Sequence, residues 1–346
     1  MEQNADIIAQ AINGSLKIIE QDRERQIVEK RFGLDGQKET LEQIGETLSV
    51  TRERVRQLEK VILVRLRITA KANNIPELAS AEKIIIRNLA EIGRVAKVNI
   101  LADKIYGRKA SNKEKAALVF LGDISPSLTI VSENDKYNSA IAIADVGDEK
   151  QIRQKIDEIV SMIKSNKAPL SLEQLDERLN YEHPSQISAI ASVSKLLATL
   201  NGLWGLSKWP TVNPKNIRDK IYVILENKKE PMHFNDISTA IAESNFKRKN
   251  VTTQAIHNEL IKDPRFVLIG RGIYALDSWG YKKGTVSEII TNVLKSAGRP
   301  LSREEIVAEV LKSRKVKETT ILLNLQNKKY FERVDKNSYT LRTPSK

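Results

Sequence analysis

The feature of this sequence that most constrains its fold is a weak internal repeat, which starts near residue 81 and has a period of roughly 65 to 70 residues. Each repeat opens with apolar residues at helical spacing. Three of the repeats continue through a short connector into a second helix and then a third. The predicted opening helices are 81–93, 150–166, 215–227 and 285–297, and the clearest third helices are 252–261 and 317–326.

Each repeat is predicted to end in a β-hairpin. In the last two repeats, alternating apolar residues flank a polar turn, at Gly270-Arg271-Gly272 and at Asp335-Lys336-Asn337. Three helices followed by a two-stranded wing are typical of a winged helix. The predicted wings are 128–131 with 139–143, 203–209, 265–276 and 330–341, of which the first two are less regular.

The first 75 residues carry helical patterns. Thr40 and Gln43 have the spacing of a capping box, and Thr51 is placed to cap the helix that follows it. Only Ser49-Val50 separates the last two helices, which is typical of a helix-turn-helix whose second helix enters the major groove of DNA. The predicted helices are 5–20, 22–32, 41–48 and, after the Thr51 cap, 52 to about 70.

These patterns predict a mainly α-helical protein in which a helix-turn-helix domain is followed by tandem winged-helix domains, each with three helices and a small β-wing. A chain of 346 residues is too long for one ordinary core, so several domains are expected. The predicted domains are 1–75 for the helix-turn-helix, 81–146 and 149–210 for two winged-helix-like units, and 214–280 and 284–343 for two winged helices.

The charge balance indicates a polyanionic partner. Lys and Arg number 57 against 44 Asp and Glu, which gives a formal net charge of +13. Double-stranded DNA fits this balance better than a membrane surface does, although charge alone also allows a basic protein without such a partner. Because no apolar run is long enough to span a membrane and the first residues lack a signal-peptide core, we expect a cytoplasmic protein without membrane contact.

The sequence carries no catalytic constellation, and we expect a protein that is not an enzyme. The absence of cysteine excludes disulfide scaffolds, thiolate zinc sites and thiol catalysis. His183, His233 and His257 lack the spacing of a metal site, and no glycine-rich phosphate loop occurs. We therefore expect no metal, no cofactor and no small-molecule substrate.

The helix that begins after Thr51 carries the strongest candidate site. Its apolar positions form one inward stripe, which consists of Val55, Leu58, Ile62 and Leu66. Four polar side chains fall together on the opposite face at the N-terminal end: Arg52, Glu53, Arg56 and Gln57. Arginine can donate two hydrogen bonds to guanine, glutamine can pair with adenine, and glutamate can accept from the cytosine amino group. This face is therefore suited to reading bases.

The flanks of the same helix are suited to phosphates, which position a protein on DNA without specifying sequence. Arg54 and Lys60 lie there. The alternative interpretation is a solvated amphipathic helix stabilised by Glu–Arg pairs at i,i+3 spacing. The pattern of this helix alone leaves both interpretations open.

The residues around this helix resemble region 4 of primary bacterial sigma factors, over residues 22–70. The resemblance is carried by Arg31-Phe-Gly-Leu-Asp-Gly36, Thr40-Leu-Glu-Gln-Ile-Gly-Glu46 and Val50-Thr-Arg-Glu-Arg-Val-Arg-Gln-Leu-Glu59. It implies that Arg52, Glu53, Arg56 and Gln57 contact bases of a promoter −35 element, and that Thr40, Thr51, Arg54 and Lys60 contact the backbone.

The sigma-factor resemblance also implies partners and limits. Region 4 of that family docks on the β-subunit flap of RNA polymerase, so the polymerase is a second implied partner. No segment resembles sigma region 2, the part that melts promoter DNA, so a stand-alone promoter-opening factor is not implied. The expected function is sequence-specific DNA binding in transcription initiation.

The third repeat resembles the HARE-HTH type of winged helix, which is shared by the bacterial polymerase delta subunit, chromatin proteins and restriction enzymes. The fourth repeat is a weaker echo. The segments that carry the resemblance are Pro231-Met-His-Phe-Asn-Asp-Ile237, His257-Asn-Glu-Leu260, Asp263-Pro-Arg-Phe266 and Gly270-Arg-Gly-Ile-Tyr-Ala-Leu276, followed by Trp279.

Two roles stay open for these winged helices, DNA contact and protein docking. For DNA contact the candidate residues are Thr253, Gln254, His257, Arg265 and Arg271 in the third repeat, and Lys315, Lys317 and Thr320 in the fourth. For the repeats within 81–210, protein contact or spacing is favoured. The whole chain then has two alternative functions: an RNA polymerase-associated interaction protein that uses its winged helices as docking modules, or the DNA-targeting part of a restriction or modification system.

Overall fold

The computed structural model describes residues 2–179, 181, 184–246, 248 and 250–342. The position of His183 and the tail 343–346, predicted to be frayed, lie outside the described residues. Within them the chain is mainly α-helical with small antiparallel sheets, as the sequence predicts. The chain divides into two compact units, Met1–Lys208 and Trp209–Lys346.

The first unit begins with four helices: α1 (Glu2–Lys17), α2 (Asp22–Phe32), α3 (Leu41–Leu48) and α4 (Arg52–Lys71). The predicted bounds of α2 and α3 are confirmed, and α4 extends one residue beyond the prediction. Two threonines set these bounds. The Thr40 hydroxyl and the Gln43 side chain form the predicted capping box, and the Thr51 side chain accepts a hydrogen bond from the Arg54 backbone N–H at 3.2 Å.

A tight turn joins α3 to α4. Ser49 adopts the left-handed conformation with φ of 54°, and the Val50 backbone N–H donates to the Gly45 carbonyl at 2.9 Å. This folds the chain back on α3, so that a Cβ at Gly45 would lie 2.7 Å from the Val50 carbonyl oxygen. The atoms that approach Gly45 belong to the turn and to the first residue of α4, because the Arg52 backbone N would lie 3.5 Å from the same Cβ.

The helix-turn-helix has a small core of its own. Ile27 of α2, Ile44 of α3 and Val55 of α4 are fully buried against one another. Farther along α4, Ile62 and Leu66 are also fully buried, but they belong to a larger core. The predicted inward stripe of α4 is therefore confirmed, and it packs in two places.

Two repeats with the order α-β-α-α-β-β complete the first unit, and each forms a three-stranded antiparallel sheet. The first repeat consists of α5 (Pro76–Ile92), β1 (Val95–Lys97), α6 (Val98–Tyr106), α7 (Asn112–Ile124), β2 (Leu128–Val131) and β3 (Ala140–Ile143). The second consists of α8 (Glu149–Asn166), β4 (Leu170–Ser171), α9 (Leu172–Leu179), α10 (Pro184–Val193), β5 (Leu197–Leu200) and β6 (Leu203–Leu206).

The larger core of the first unit runs without a break from α1 to β3. It includes Ile8, Ile85 and Phe120, and both Ile75 before α5 and Leu78 in its first turn are buried. The helix-turn-helix and the first repeat therefore share one core across the boundary that we predicted between residues 75 and 81. Their assignment to separate domains stays a prediction.

The second unit contains two more repeats of the same order. One consists of α11 (Ile217–Lys228), β7 (Met232–His233), α12 (Phe234–Glu243), α13 (Thr253–Lys262), β8 (Phe266–Gly270) and β9 (Ile273–Leu276). The other consists of α14 (Val286–Ala297), β10 (Leu301–Ser302), α15 (Arg303–Ser313), α16 (Glu318–Leu325), β11 (Phe331–Arg333) and β12 (Ser338–Leu341). Both wings lie where the sequence predicted hairpins.

In three of the four described sheets, the third strand lies in a segment that we took for a connector. The segments Leu170–Ser171, Met232–His233 and Leu301–Ser302 are short strands, and each pairs antiparallel with the last strand of its own wing. A strand of two residues has too little length to display a period of two. The sequence pattern therefore could not reveal these strands.

The predicted position of the second wing was wrong. We placed it at 203–209, whereas the hairpin joins β5 to β6 around Asn201 and Gly202. Both residues have positive φ, 50° and 80°, as the tight turn of a two-residue hairpin requires. An Asn-Gly pair between apolar runs is a strong hairpin signal, and it could have corrected the prediction.

Substitution at Gly45 tests whether the turn depends on its missing side chain. Gly45→Ala should lower the free energy of unfolding by about 1–3 kcal/mol, because the added methyl meets a backbone carbonyl that cannot move aside. Thermal unfolding of both variants measures the effect against Gly14→Ala in α1, where the methyl would meet only the Glu77 carboxylate. Equal melting temperatures for the two variants would contradict this account.

Candidate nucleic-acid interface

The four side chains predicted to read bases lie on one exposed face of α4. Arg52, Glu53, Arg56 and Gln57 are all exposed, whereas Val55 on the opposite face is fully buried. They occupy the first six residues of the helix, where its free backbone N–H groups and the positive end of its dipole are found. This arrangement presents donors and acceptors together at an end of the helix that favours an anionic ligand.

An ion pair orders this face. Arg56 donates to both carboxylate oxygens of Glu53, with Nη2–Oε1 and Nε–Oε2 distances of 2.7 and 2.8 Å, and Gln57 Nε2 donates to Oε1 at 3.4 Å. The Arg56 side chain is 56% exposed and the Glu53 side chain is 58% exposed. This is the i,i+3 pair that a merely solvated helix would also have, so the pair alone does not separate the two interpretations.

The hydrogen bond from Arg56 lowers the pKa of the Glu53 carboxyl, and it raises the pKa of the Arg56 guanidinium. Because the pKa of Glu53 is lowered in the folded chain, its contribution to stability is complete at neutral pH. That contribution is lost as the pH falls through the pKa of the folded state.

The predicted backbone contacts lie at the starts of α3 and α4 and, for Lys60, two turns farther along α4. Thr40, Thr51, Arg54 and Lys60 are exposed, and both hydroxyls are at helix N-termini. In the described part of the chain, Arg54 and Lys60 have no ion-pair partner. Their charge is therefore available to phosphates.

Other charged residues brace the helix-turn-helix. Arg31 Nε lies 3.2 Å from Glu59 Oε1, which ties α2 to α4. Arg23 Nη2 donates to the Leu48 carbonyl at 2.6 Å, which ties α2 to the end of α3. These contacts connect the three helices that carry the exposed face of Arg52, Glu53, Arg56 and Gln57.

The candidate residues at the start of α13 are less free than the sequence indicated. The Thr253 hydroxyl lies 3.1 Å from the Ser238 hydroxyl. His257 is half-buried, with its ring centre 4.8 Å from that of Phe234. Gln254 is exposed, and its amide donates to Asn258. Of the three, Gln254 is the one that can reach a groove without rearrangement.

Arg265 and Arg271 differ in their surroundings. Arg265 Nη2 lies 2.7 Å from Asp263 Oδ2 and 3.3 Å from Asp219 Oδ1, and its guanidinium lies over the Tyr222 ring. The hydrogen bond from Arg265 lowers the pKa of Asp263. Arg271 is exposed in the turn of the wing. Arg265 is therefore held by the protein itself, whereas the Arg271 side chain is open to solvent.

The fourth repeat presents lysines next to α16, a helix with one exposed leucine. Lys315 and Lys317 are exposed and Thr320 is half-buried. On α16 itself the outward side chains include Glu318 and Leu323, of which Leu323 is 66% exposed. Sequence reasoning selected the lysines and missed this apolar position.

The part of the chain that the structure describes contains no group of histidine, aspartate and glutamate side chains that could hold a metal ion. Within the same residues, the helices are too short or too polar to cross a membrane.

Comparison with known proteins finds a likeness in the N-terminal region. Residues 21–67 match the family model described as Sigma-70, region 4. The RNA polymerase sigma factor SigA4 of Synechococcus elongatus is 46% identical over 57 residues. That segment is 16% of this chain and 18% of the relative, so the chain spans less than a fifth of the length of the relative it matches. The HARE-HTH resemblance stays a prediction.

A comparison of whole structures adds nothing to this. The bacterial selenocysteine-specific elongation factor EF-Sec aligns with 80% of this chain and 40% of its own chain, at 14% identity and a TM-score of 0.21. A TM-score this low carries no argument.

The ion pair on α4 can be tested by titration. In Arg56→Gln, the midpoint for the Glu53 carboxyl, followed by NMR, should move upward toward the ordinary glutamate value, because the main cause of its lowered pKa is gone. Arg54→Gln is the matched control and should leave the midpoint in place. An unchanged midpoint in Arg56→Gln would contradict the geometry described here.

A second pair of variants separates an arginine that stabilises the fold from an arginine that is only exposed. Arg265→Ala should lower the free energy of unfolding by about 1–3 kcal/mol, because it leaves two partly buried carboxylates without their donor. Arg271→Ala should change it by less than about 0.5 kcal/mol, as for other exposed side chains. Calorimetry measures both, and equal losses would contradict the assignment.

Proposed function

We propose that this chain is a sequence-specific DNA-binding protein of transcription initiation, which reads a −35-like promoter element with the N-terminal end of α4. The observation that carries the proposal is the exposed face of Arg52, Glu53, Arg56 and Gln57, inside a segment that matches sigma-70 region 4. The chain would act in the cytoplasm, and the proposal requires no cofactor or catalytic step.

The proposed recognition combines two kinds of contact. The four side chains of the reading face would hydrogen-bond to base edges in the major groove. Thr40, Thr51, Arg54 and Lys60 would contact phosphates on either side and fix the register of α4. For Arg56 to meet a base, its bidentate contact with Glu53 has to open or to be shared. Because both side chains are exposed, either change is accessible.

RNA polymerase is the proposed protein partner. The support is the match of residues 21–67 to a module of sigma factors, together with the relative named above, which is an RNA polymerase sigma factor. Docking through the β-subunit flap is the form of contact that the resemblance implies.

A second candidate function is an interaction protein that docks partners through its winged helices. The observation that favours it is the outward face of α16, where Leu323 is 66% exposed. The exposed charged residue on the same helix, Glu318, is acidic and not basic. A helix that reads DNA would be expected to present basic or amide side chains there.

Paired variants separate the two functions. Arg52→Ala and Gln57→Ala should each weaken binding to a duplex that contains TTGACA by about 1–3 kcal/mol and should reduce the preference over a scrambled duplex. Arg54→Ala should instead weaken binding to both duplexes equally, because a phosphate contact carries no sequence information. Fluorescence anisotropy at several salt concentrations measures all of these.

Two results would contradict the proposal. One is a wild-type affinity for duplex DNA that does not change between low and physiological salt, since phosphate contacts release counterions. The other is an unchanged sequence preference in both base-contact variants. Retained binding of a protein partner by those same variants would then favour the second candidate function.

A further inference from the structure

A cleft separates the helix-turn-helix from the first winged-helix repeat within the first unit. Its volume is about 830 Å³. One wall comes from the end of α2 and the turn that leads to α3, with Arg31, Gly36 and Lys38. The other wall comes from the starts of α6 and α7 and from the wing, with Lys97, Lys115 and Ser132 among its residues.

The charge of this cleft is unbalanced. Four cations line it, at Arg31, Lys38, Lys97 and Lys115, against two carboxylates, Glu59 and Glu133. Both carboxylates are already paired, Glu59 with Arg31 at 3.2 Å and Glu133 with Lys195 at 2.7 Å. In the described part of the chain, Lys38 and Lys115 have no ion-pair partner. The cleft therefore presents excess positive charge.

The backbone adds to the same polarity. The helices α6 and α7 both begin at the cleft, and Val98, Asn99 and Asn112 line it. The first N–H groups of a helix carry partial positive charge, and in α6 the Val98 N–H already donates to the Ser139 carbonyl at 3.0 Å. Asn99, Asn112 and Asn138 also supply side-chain amides to the lining. An anion fits such a surface, which has cations and amide donors in its lining.

The cleft continues from the proposed DNA contact. Lys38 lies two residues before Thr40, so the two Cα atoms are at most about 7 Å apart. The turn between them is held to α2, because the Glu39 N–H donates to the Lys30 carbonyl and the Glu39 carboxylate pairs with Lys30 at 2.7 Å. A phosphate at the start of α3 is therefore close to the rim of the cleft.

We propose that this cleft binds the DNA backbone next to the element that α4 reads, so that the first winged-helix repeat extends the contact with the duplex through Lys115. The inference rests on the proposed function for the position of the duplex. It replaces our expectation of a protein-contact or spacing role for this repeat. The contact is to phosphates, so it adds affinity and register without adding base preference.

The test uses the full chain with Lys38→Gln, Lys115→Gln and the double variant. Each single variant should reduce the slope of log affinity against log salt by about 0.9, and the double variant by about twice that, because one phosphate contact is lost for each lysine. The ratio of affinities for the TTGACA duplex and a scrambled duplex should stay unchanged. The control is Lys164→Gln near the end of α8, which is exposed and does not line the cleft.

A second measurement locates the contact. Because the chain has no cysteine of its own, an introduced cysteine is the single site at which a thiol-reactive probe attaches. Lys115→Cys that carries an iron chelate should cleave the duplex beside the element, whereas Lys164→Cys with the same chelate should not. The inference is overturned if the cleft variants have the same salt slope as Lys164→Gln, or if both chelate positions cleave the duplex equally. An acidic protein would then be the better candidate to bind in the cleft.

The two proposals fail in different ways. If the cleft variants reduce the salt slope while the wild-type chain shows no base preference, the cleft contact stands and the promoter-reading function is wrong. If Arg52→Ala and Gln57→Ala change the preference while the cleft variants behave like the Lys164→Gln control, the reading function stands and the cleft inference is wrong.

Discussion

The fixed rotation of α4 is the constraint on which the rest of this structure depends. The helix has 20 residues, a length of about 30 Å, and it buries one stripe in two separate cores. Val55 packs in the small core of the helix-turn-helix, whereas Ile62 and Leu66 pack in the core shared with the first winged-helix repeat. Burial contributes about 1.5–3 kcal/mol for each such side chain. A rotation of α4 would expose all three, so the opposite face has to point outward.

The cations of this protein fall into two groups that composition alone does not distinguish. Arg31 and Arg265 are held by carboxylates of neighbouring elements, and they stabilise the fold. Arg54, Lys60 and Lys38 are exposed without such partners among the described residues. The net charge of +13 is therefore a poor guide to the binding surface. Its location follows from which cations the fold leaves unpaired.

The sequence was most informative where structure is decided locally. The capping box at Thr40 and the cap at Thr51 depend on residues three apart, and they placed α3 and the start of α4 correctly. Contacts between distant segments were out of reach. The strand at Leu301 exists because it pairs with Tyr339. The pairing of Arg265 with Asp219 joins residues 46 positions apart. No local pattern encodes either partner.

The central claim is that the exposed face of α4 reads bases, and selection of bound sequences from a random pool of duplex DNA tests it most directly. The account predicts that the full chain enriches a hexamer similar to TTGACA, the −35-like element of the proposed function. Recovery of bound DNA with no enriched sequence would contradict it, because a reading face that contacts bases cannot be indifferent to them.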